Sequence, residues 1–133
     1  MNDYVVTATG TAGVLQGEPN MRFDGTNSYQ SSYSGSSVSL VSSPATLITI
    51  VAASGVSANF SYYVSDGTNK RAGTVMSVWD GSTTEYTDYS TPDIGGATTG
   101  ISFRTTVSGA NILFQAVVTS GTWTVKVGSR IVF

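Results

Sequence analysis

Four carboxylates crowd one short stretch of this 133-residue chain: Asp80, Glu85, Asp88 and Asp93. They are the residues whose type and spacing come nearest to chemistry. Two carboxylates across a cleft, one keeping its proton at neutral pH, would be the machinery of glycoside hydrolysis. Hard cations also take oxygen ligands from loops, so the same stretch offers a calcium site on paper. Neither idea finds a motif. The spacing matches no EF-hand loop, and strand alternation sends Glu85 and Asp88 to opposite faces. Asp24, Asp66 and Asp80 each precede a glycine, which is how turns are written. The chain has no histidine and no cysteine. Ser-His and Cys-His nucleophile pairs, histidine metal sites and zinc sites are therefore excluded. The acids are expected as solvated turn and hairpin residues, with no catalytic residue, metal or cofactor assigned.

Aromatic rings are the other candidates. Tyr62, Tyr63, Trp79, Tyr86 and Tyr89 could form a platform on which sugar rings stack. Tyr62 and Tyr63 are consecutive, so a strand turns one inward and one outward. Tyr86, Tyr89, Trp79 and Tyr62 are taken as the candidate surface-contact or glycan-binding set. Arg71, Arg104 and Arg130 are isolated charges on strands, suited to rim or intersubunit pairing.

The elements that must hold these groups follow from composition and periodicity. Charged residues are only 11 % of the chain, and serine and threonine fill most polar positions. With six basic residues, a net charge of -2 and no basic run, nothing would neutralise a row of phosphates, so nucleic acid is not expected as a partner. The start MNDYVVTATG lacks the basic and apolar regions of a signal peptide, and no apolar run approaches a membrane span. A protein made in the cytoplasm that stays soluble, with no membrane contact, is the expectation. Asn59-Phe60-Ser61 matches the glycosylation pattern but is idle without secretion.

No stretch has a capped apolar period of 3.6, so helix content should be near zero. Residues 3–8 read as a short strand, Thr9–Gly13 as a flexible run, residues 17–25 as a minimal strand and hairpin, and 26–37 as a polar surface linker. These form an extended N-terminal arm over 1–37, with the compact domain over 38–133. That domain opens with a strand at Val38–Val41. Next comes ATLITIVAA (45–53), an uncharged β-branched run that should be central or capped by a neighbouring chain. Strands follow at 58–65 and 71–79, then a hairpin through Asp80-Gly81 into 83–90, and a glycine-rich loop over 92–100. The last third alternates cleanly. Ile101, Phe103, Thr105 and Val107 share one phase, as do Ile112, Phe114, Ala116 and Val118, and then Trp123, Val125 and Val127. This predicts a three-stranded meander closed by an apolar end. Seven to eight short strands make the fold class all-β, an antiparallel β-sandwich or jelly roll.

From about Ala45 to Phe133 the chain resembles a β-domain of virion structural proteins in tailed bacteriophages, especially those of cyanobacteria and other marine bacteria. The resemblance is carried by Val78-Trp79-Asp80-Gly81, Thr84-Glu85-Tyr86-Thr87, Ser108-Gly109-Ala110-Asn111-Ile112-Leu113-Phe114, Thr124-Val125-Lys126-Val127 and Arg130-Ile131. Residues 17–25 look like a short element of phage fibre proteins. The chain departs from the family habit with Ala110 in place of a second glycine and Thr119 in place of a proline. The resemblance implies a non-enzymatic virion component, on tail fibres or decorating a capsid, with other virion proteins and sister subunits as partners. Its arm would dock to the particle or to sister subunits. A glycan-binding adhesin for host attachment, using exposed tyrosines, is the alternative.

Overall fold

The computed structural model describes residues 44–132 in full and four earlier segments as backbone strands: β1 (Tyr4–Ala8), β2 (Leu15–Phe23), β3 (Ser28–Gln30) and β4 (Ser34–Ser36). The chain divides into two units, Met1–Ser32 and Tyr33–Phe133. The first is a three-stranded antiparallel sheet in the order β1-β2-β3. Its first ladder is interrupted between Tyr4, opposite Arg22, and Val6, opposite Gly17. The residues skipped on β2 include Pro19, which has no N–H to give to a ladder.

The second unit is an all-β sandwich. Its strands are β5 (Ala45–Val51), β6 (Ser57–Ser65), β7 (Lys70–Trp79), β8 (Thr84–Ser90), β9 (Ile101–Ser108), β10 (Asn111–Val118) and β11 (Thr124–Val132). They form two antiparallel sheets, β5-β10-β9 and β4-β11-β6-β7-β8. A single 3-10 turn, Ala52–Ser54, is the helical element among the described residues. Short turns join the hairpins, and Gly67 and Gly81 take φ of 102° and 93°, a region open to glycine, straight after the aspartates that cap those turns.

The core is a column of rings joining the sheets. Phe60 of β6 stacks on Phe114 of β10 with centroids 4.4 Å apart, Phe114 meets Phe103 of β9 at 5.4 Å, and Phe103 meets Tyr62 of β6 at 4.2 Å. Val64, Val75, Ile112 and Val125 fill in around it, fully buried. Fully burying one such side chain stabilises the fold by about 1.5–3 kcal/mol, so the apolar phases in β6, β9, β10 and β11 are what hold the two sheets together.

Two expectations are corrected by the topology. The segment read as a surface linker over 26–37 carries β3 and β4, and β4 pairs with β11 through Ser34, Gly35 and Ser36. Backbone pairing needs no apolar side chain, so a Ser/Gly strand leaves no periodic trace. The last three strands are not a meander. β9 and β10 form a hairpin, but β11 crosses to the other sheet and lies beside β6. Residues 119–123 make the crossing, with the Thr119 and Ser120 amides both directed at the Gly100 carbonyl, at 2.9 and 3.4 Å. The strand β5, expected to be central or capped by a neighbouring chain, has one neighbour among the described residues, β10. The expected strand at Val38–Val41, the run Thr9–Gly13 and the Asp24-Gly25 turn lie outside the described residues. At the chain's end Ile131 packs against the core while Val132 stays exposed.

Candidate functional site

The β7–β8 hairpin places most of the candidate residues. Trp79 pairs with Thr84, Ser77 with Tyr86, Val75 with Asp88 and Thr74 with Tyr89. Trp79, Ser77 and Val75 are buried, so Thr84, Tyr86 and Asp88 share the inward phase while Glu85, Thr87 and Tyr89 face out. Tyr86 and Tyr89, 43 % and 62 % exposed, thus lie on opposite faces of the sheet. They cannot form one platform. Tyr86 stays accessible although it shares the inward phase.

Trp79 and Tyr62 are corrected from the surface set, because both are buried. The Trp79 indole donates to the Ala52 carbonyl at 3.0 Å, which plugs one end of the sandwich. Tyr62 belongs to the ring column, and its hydroxyl donates to Asp88 Oδ1 at 2.8 Å. To get there it crosses Gly73, its direct partner on β7. Burial first, then the hydrogen bond to Asp88, pushes the Tyr62 phenol up to about 12, against a smaller opposing pull from Arg71. Arg71 stands 5.7 Å from the Tyr62 ring centroid, and its Nη2 donates to the Ile101 carbonyl at 3.3 Å.

Two of the four carboxylates are committed to loops. Asp80 Oδ1 accepts from the Thr83 and Ser82 amides at 2.9 and 3.1 Å and from both hydroxyls, and the Thr83 amide leads in holding the carboxyl far below its ordinary range. Asp93 accepts from the Thr98 hydroxyl at 2.6 Å and the Thr98 amide at 2.9 Å, with the same downward effect. Such carboxylates are poor proton donors near neutrality. Asp66 caps its own turn in like fashion, chiefly through the Asn69 amide. Glu85 faces out beside Val78, and Asp88 holds Tyr62. Among the described residues no three acidic side chains gather closely enough to hold a metal ion.

Two polar clusters escaped the sequence reading. Ser77, Thr84 and Thr105 close a triangle of hydroxyls at 2.9–3.0 Å that ties β7, β8 and β9 across the sandwich. Gln115, on the outer face of β10, accepts from Arg104 Nε at 3.1 Å and from Thr106 at 3.3 Å, and donates to Thr46 at 3.2 Å. Arg104 is thus spent within one sheet. The available signal was Thr105, a hydroxyl standing in an apolar phase.

The outer face of the larger sheet is accessible, with Met76, Val78 and Tyr89 exposed on it. By register, Val132, Ser57, Val78 and Glu85 form one row, Arg130, Asn59, Met76 and Thr87 the next, and Gly128, Ser61, Thr74 and Tyr89 a third. Its first two rows border a shallow open groove of about 440 Å³. Fold and site together define an all-β sandwich with a filled interior, whose accessible side chains among the described residues are hydroxyls, a few charges, aliphatics such as Met76, Val78 and Ile94, and the separated rings of Tyr86 and Tyr89. Compared with protein-family models, curated proteins and solved structures, the chain matches none.

Proposed function

We propose that this chain is a non-enzymatic structural component of a bacteriophage particle, displayed on a tail fibre or as a capsid decoration. Its N-terminal unit docks to the particle or to sister subunits, and the sandwich faces outward. The observation that carries the reading is the division into a small N-terminal β-unit and a sandwich whose interior is filled by stacked rings. The resemblance over 45–133 supports it, as does a charge-poor, hydroxyl-rich composition suited to repeated packing. Removing residues 1–32 is expected to leave a sandwich that still unfolds cooperatively in urea but no longer joins particles in a packaging assay. Normal incorporation of the truncated chain would reject the docking role.

A second reading, a glycan-binding adhesin, is favoured by Tyr89, which stands 62 % exposed in a row with Thr74 and Ser61. A ring flanked by hydroxyls suits stacking on a sugar face. Because Tyr86 lies on the other face, the adhesin reading expects Tyr89→Ala to abolish glycan-array binding and Tyr86→Ala to leave it intact. An empty array with folded wild-type protein would remove this alternative.

A further inference from the structure

Past the end of β8 the chain stays beside β7. The Thr91 amide donates to the Ala72 carbonyl at 2.8 Å, and Lys70 and Ile94 exchange two backbone hydrogen bonds of 2.9 Å. Arg71 is thus opposed by two residues, Pro92 and Asp93, which bulge from the edge. On the outer face, Tyr63 of β6 stands opposite Ala72 of β7, because Tyr62 takes the inward phase. The small Ala72 side chain floors a hollow of about 430 Å³, with the half-buried Tyr63 on one side and Pro92 and the exposed Ile94 on the other. Lys70 lies two residues along β7 on the same face, and Lys126 of β11 pairs with Tyr63 from the far side. Among the described residues neither ammonium has a hydrogen-bond or ion-pair partner. The acids nearby are spent on their own loops, Asp93 on Thr98 and Asp66 on the Asn69 amide. Arg71 sends its guanidinium to the Ile101 carbonyl and the Tyr62 ring, so it is not free for a ligand here.

We propose that this hollow binds an acidic sugar, a uronic or sialic acid residue of a surface glycan. The apolar face of the sugar ring lies against Tyr63 over Ala72, and Lys70 takes the carboxylate, with Lys126 adding to the attraction. Charge and shape together choose this occupant. Two unpaired ammonium groups beside acids already engaged favour an anion. The flanking strands are two intervals apart, about 9.5 Å, which admits one ring and is too narrow for a helix about 10–12 Å across. A bare phosphate would leave the Tyr63 ring and the Pro92–Ile94 wall unused. Tyr89 stands opposite Thr74, the next outward residue of β7 after Ala72, so one glycan chain can touch both rings. The proposal rests on the glycan-binding reading of this face and names the sugar class and the subsite.

The full-length chain is tested on an array of neutral and acidic glycans, and by calorimetry with tetragalacturonate and sialyllactose, each against its methyl ester. At least one of the two acids is expected to bind, its uncharged ester should not, and affinity should fall as salt is raised. Lys70→Gln should weaken binding by about tenfold or more. Tyr63→Ala should abolish it while Tyr63→Phe keeps it, and Ala72→Leu should block the floor without removing a contact. Glu85→Gln, on the same face opposite Val78, should change nothing. Urea midpoints near the wild-type value show that each variant is folded. Acid and ester bound equally, or binding indifferent to Tyr63→Ala and Ala72→Leu, overturns the proposal. Neutral glycans bound and then lost in Tyr89→Ala, with no acidic sugar bound, would sink the subsite and leave the adhesin reading standing. An empty array sinks both; if Lys70→Gln and Ala72→Leu chains then also fail to join particles, the hollow belongs to another virion protein. Acidic sugars bound equally by wild type and Tyr89→Ala but lost in Tyr63→Ala would uphold the subsite and reject the role given to Tyr89.

Discussion

Phe114→Ala is expected to lower the unfolding free energy of the sandwich by about 3–5 kcal/mol. Phe114 is fully buried and is the ring through which the sheets meet, stacked on Phe60 at an interplanar angle of 2° and close to Phe103. Removing it loses the burial of the ring, both aromatic contacts and the packing of a void that β10, held between β5 and β9, cannot close. Domains of this size have about 5–15 kcal/mol in total, so the variant should approach instability at physiological temperature. Urea unfolding followed by tryptophan fluorescence checks it, through a fall in midpoint at unchanged slope. A loss below about 1 kcal/mol, the range of ordinary surface changes, would mean that the ring column does not hold the sheets.

Gly73→Ala should cost about 1–3 kcal/mol, the range for overpacking a well-filled site. An added Cβ would sit 2.5 Å from the Tyr62 hydroxyl and closer still to the Tyr89 carbonyl, a backbone atom that can give way only if β8 moves off β7. The same change has a titration signature. In the wild type the Tyr62 phenol is pushed up to about 12 from an ordinary 10.0. Its folded value is above its unfolded one, so the stability it contributes is complete below about pH 10 and is lost as pH rises through about 12. With Tyr62 displaced from Asp88, that midpoint should fall back towards 10. A phenolate absorbance titration of wild type and Gly73→Ala, each minus the corresponding Tyr62→Phe variant, isolates this one group. An unmoved midpoint together with an unmoved urea midpoint would show that a methyl group fits beside Tyr62 after all.

Much of the strand pattern was legible because it depends on neighbours in sequence. Alternation in Ile101-Ser-Phe-Arg-Thr-Thr-Val and in Ile112 to Val118 states which side chains must leave water, and those residues do line the core. Asp66-Gly67 and Asp80-Gly81 mark their turns because the aspartate accepts from the amides two and three residues on and the glycine takes a positive φ. The candidate site was less legible. Tyr62, Trp79, Tyr86 and Tyr89 all look alike as ring residues near turns. Register with β6 and β7 buries two of them and sends the other two to opposite faces.

By itself, then, the sequence determined the all-β class, the positions of most strands and turns in the sandwich, and the absence of histidine and cysteine chemistry. These are local or compositional properties, set by one residue's effect on its own backbone or by what is missing altogether. Tertiary structure alone decided that β11 leaves β10 for β6, that β5 pairs with β10, that Tyr62 spans Gly73 to reach Asp88, and that Thr105 completes a hydroxyl triangle. Each depends on which strand lies beside which. A period-2 pattern reports that a face is buried and says nothing of what buries it, so strand order, edge exposure and contacts across the sheets appear only once the chain has folded.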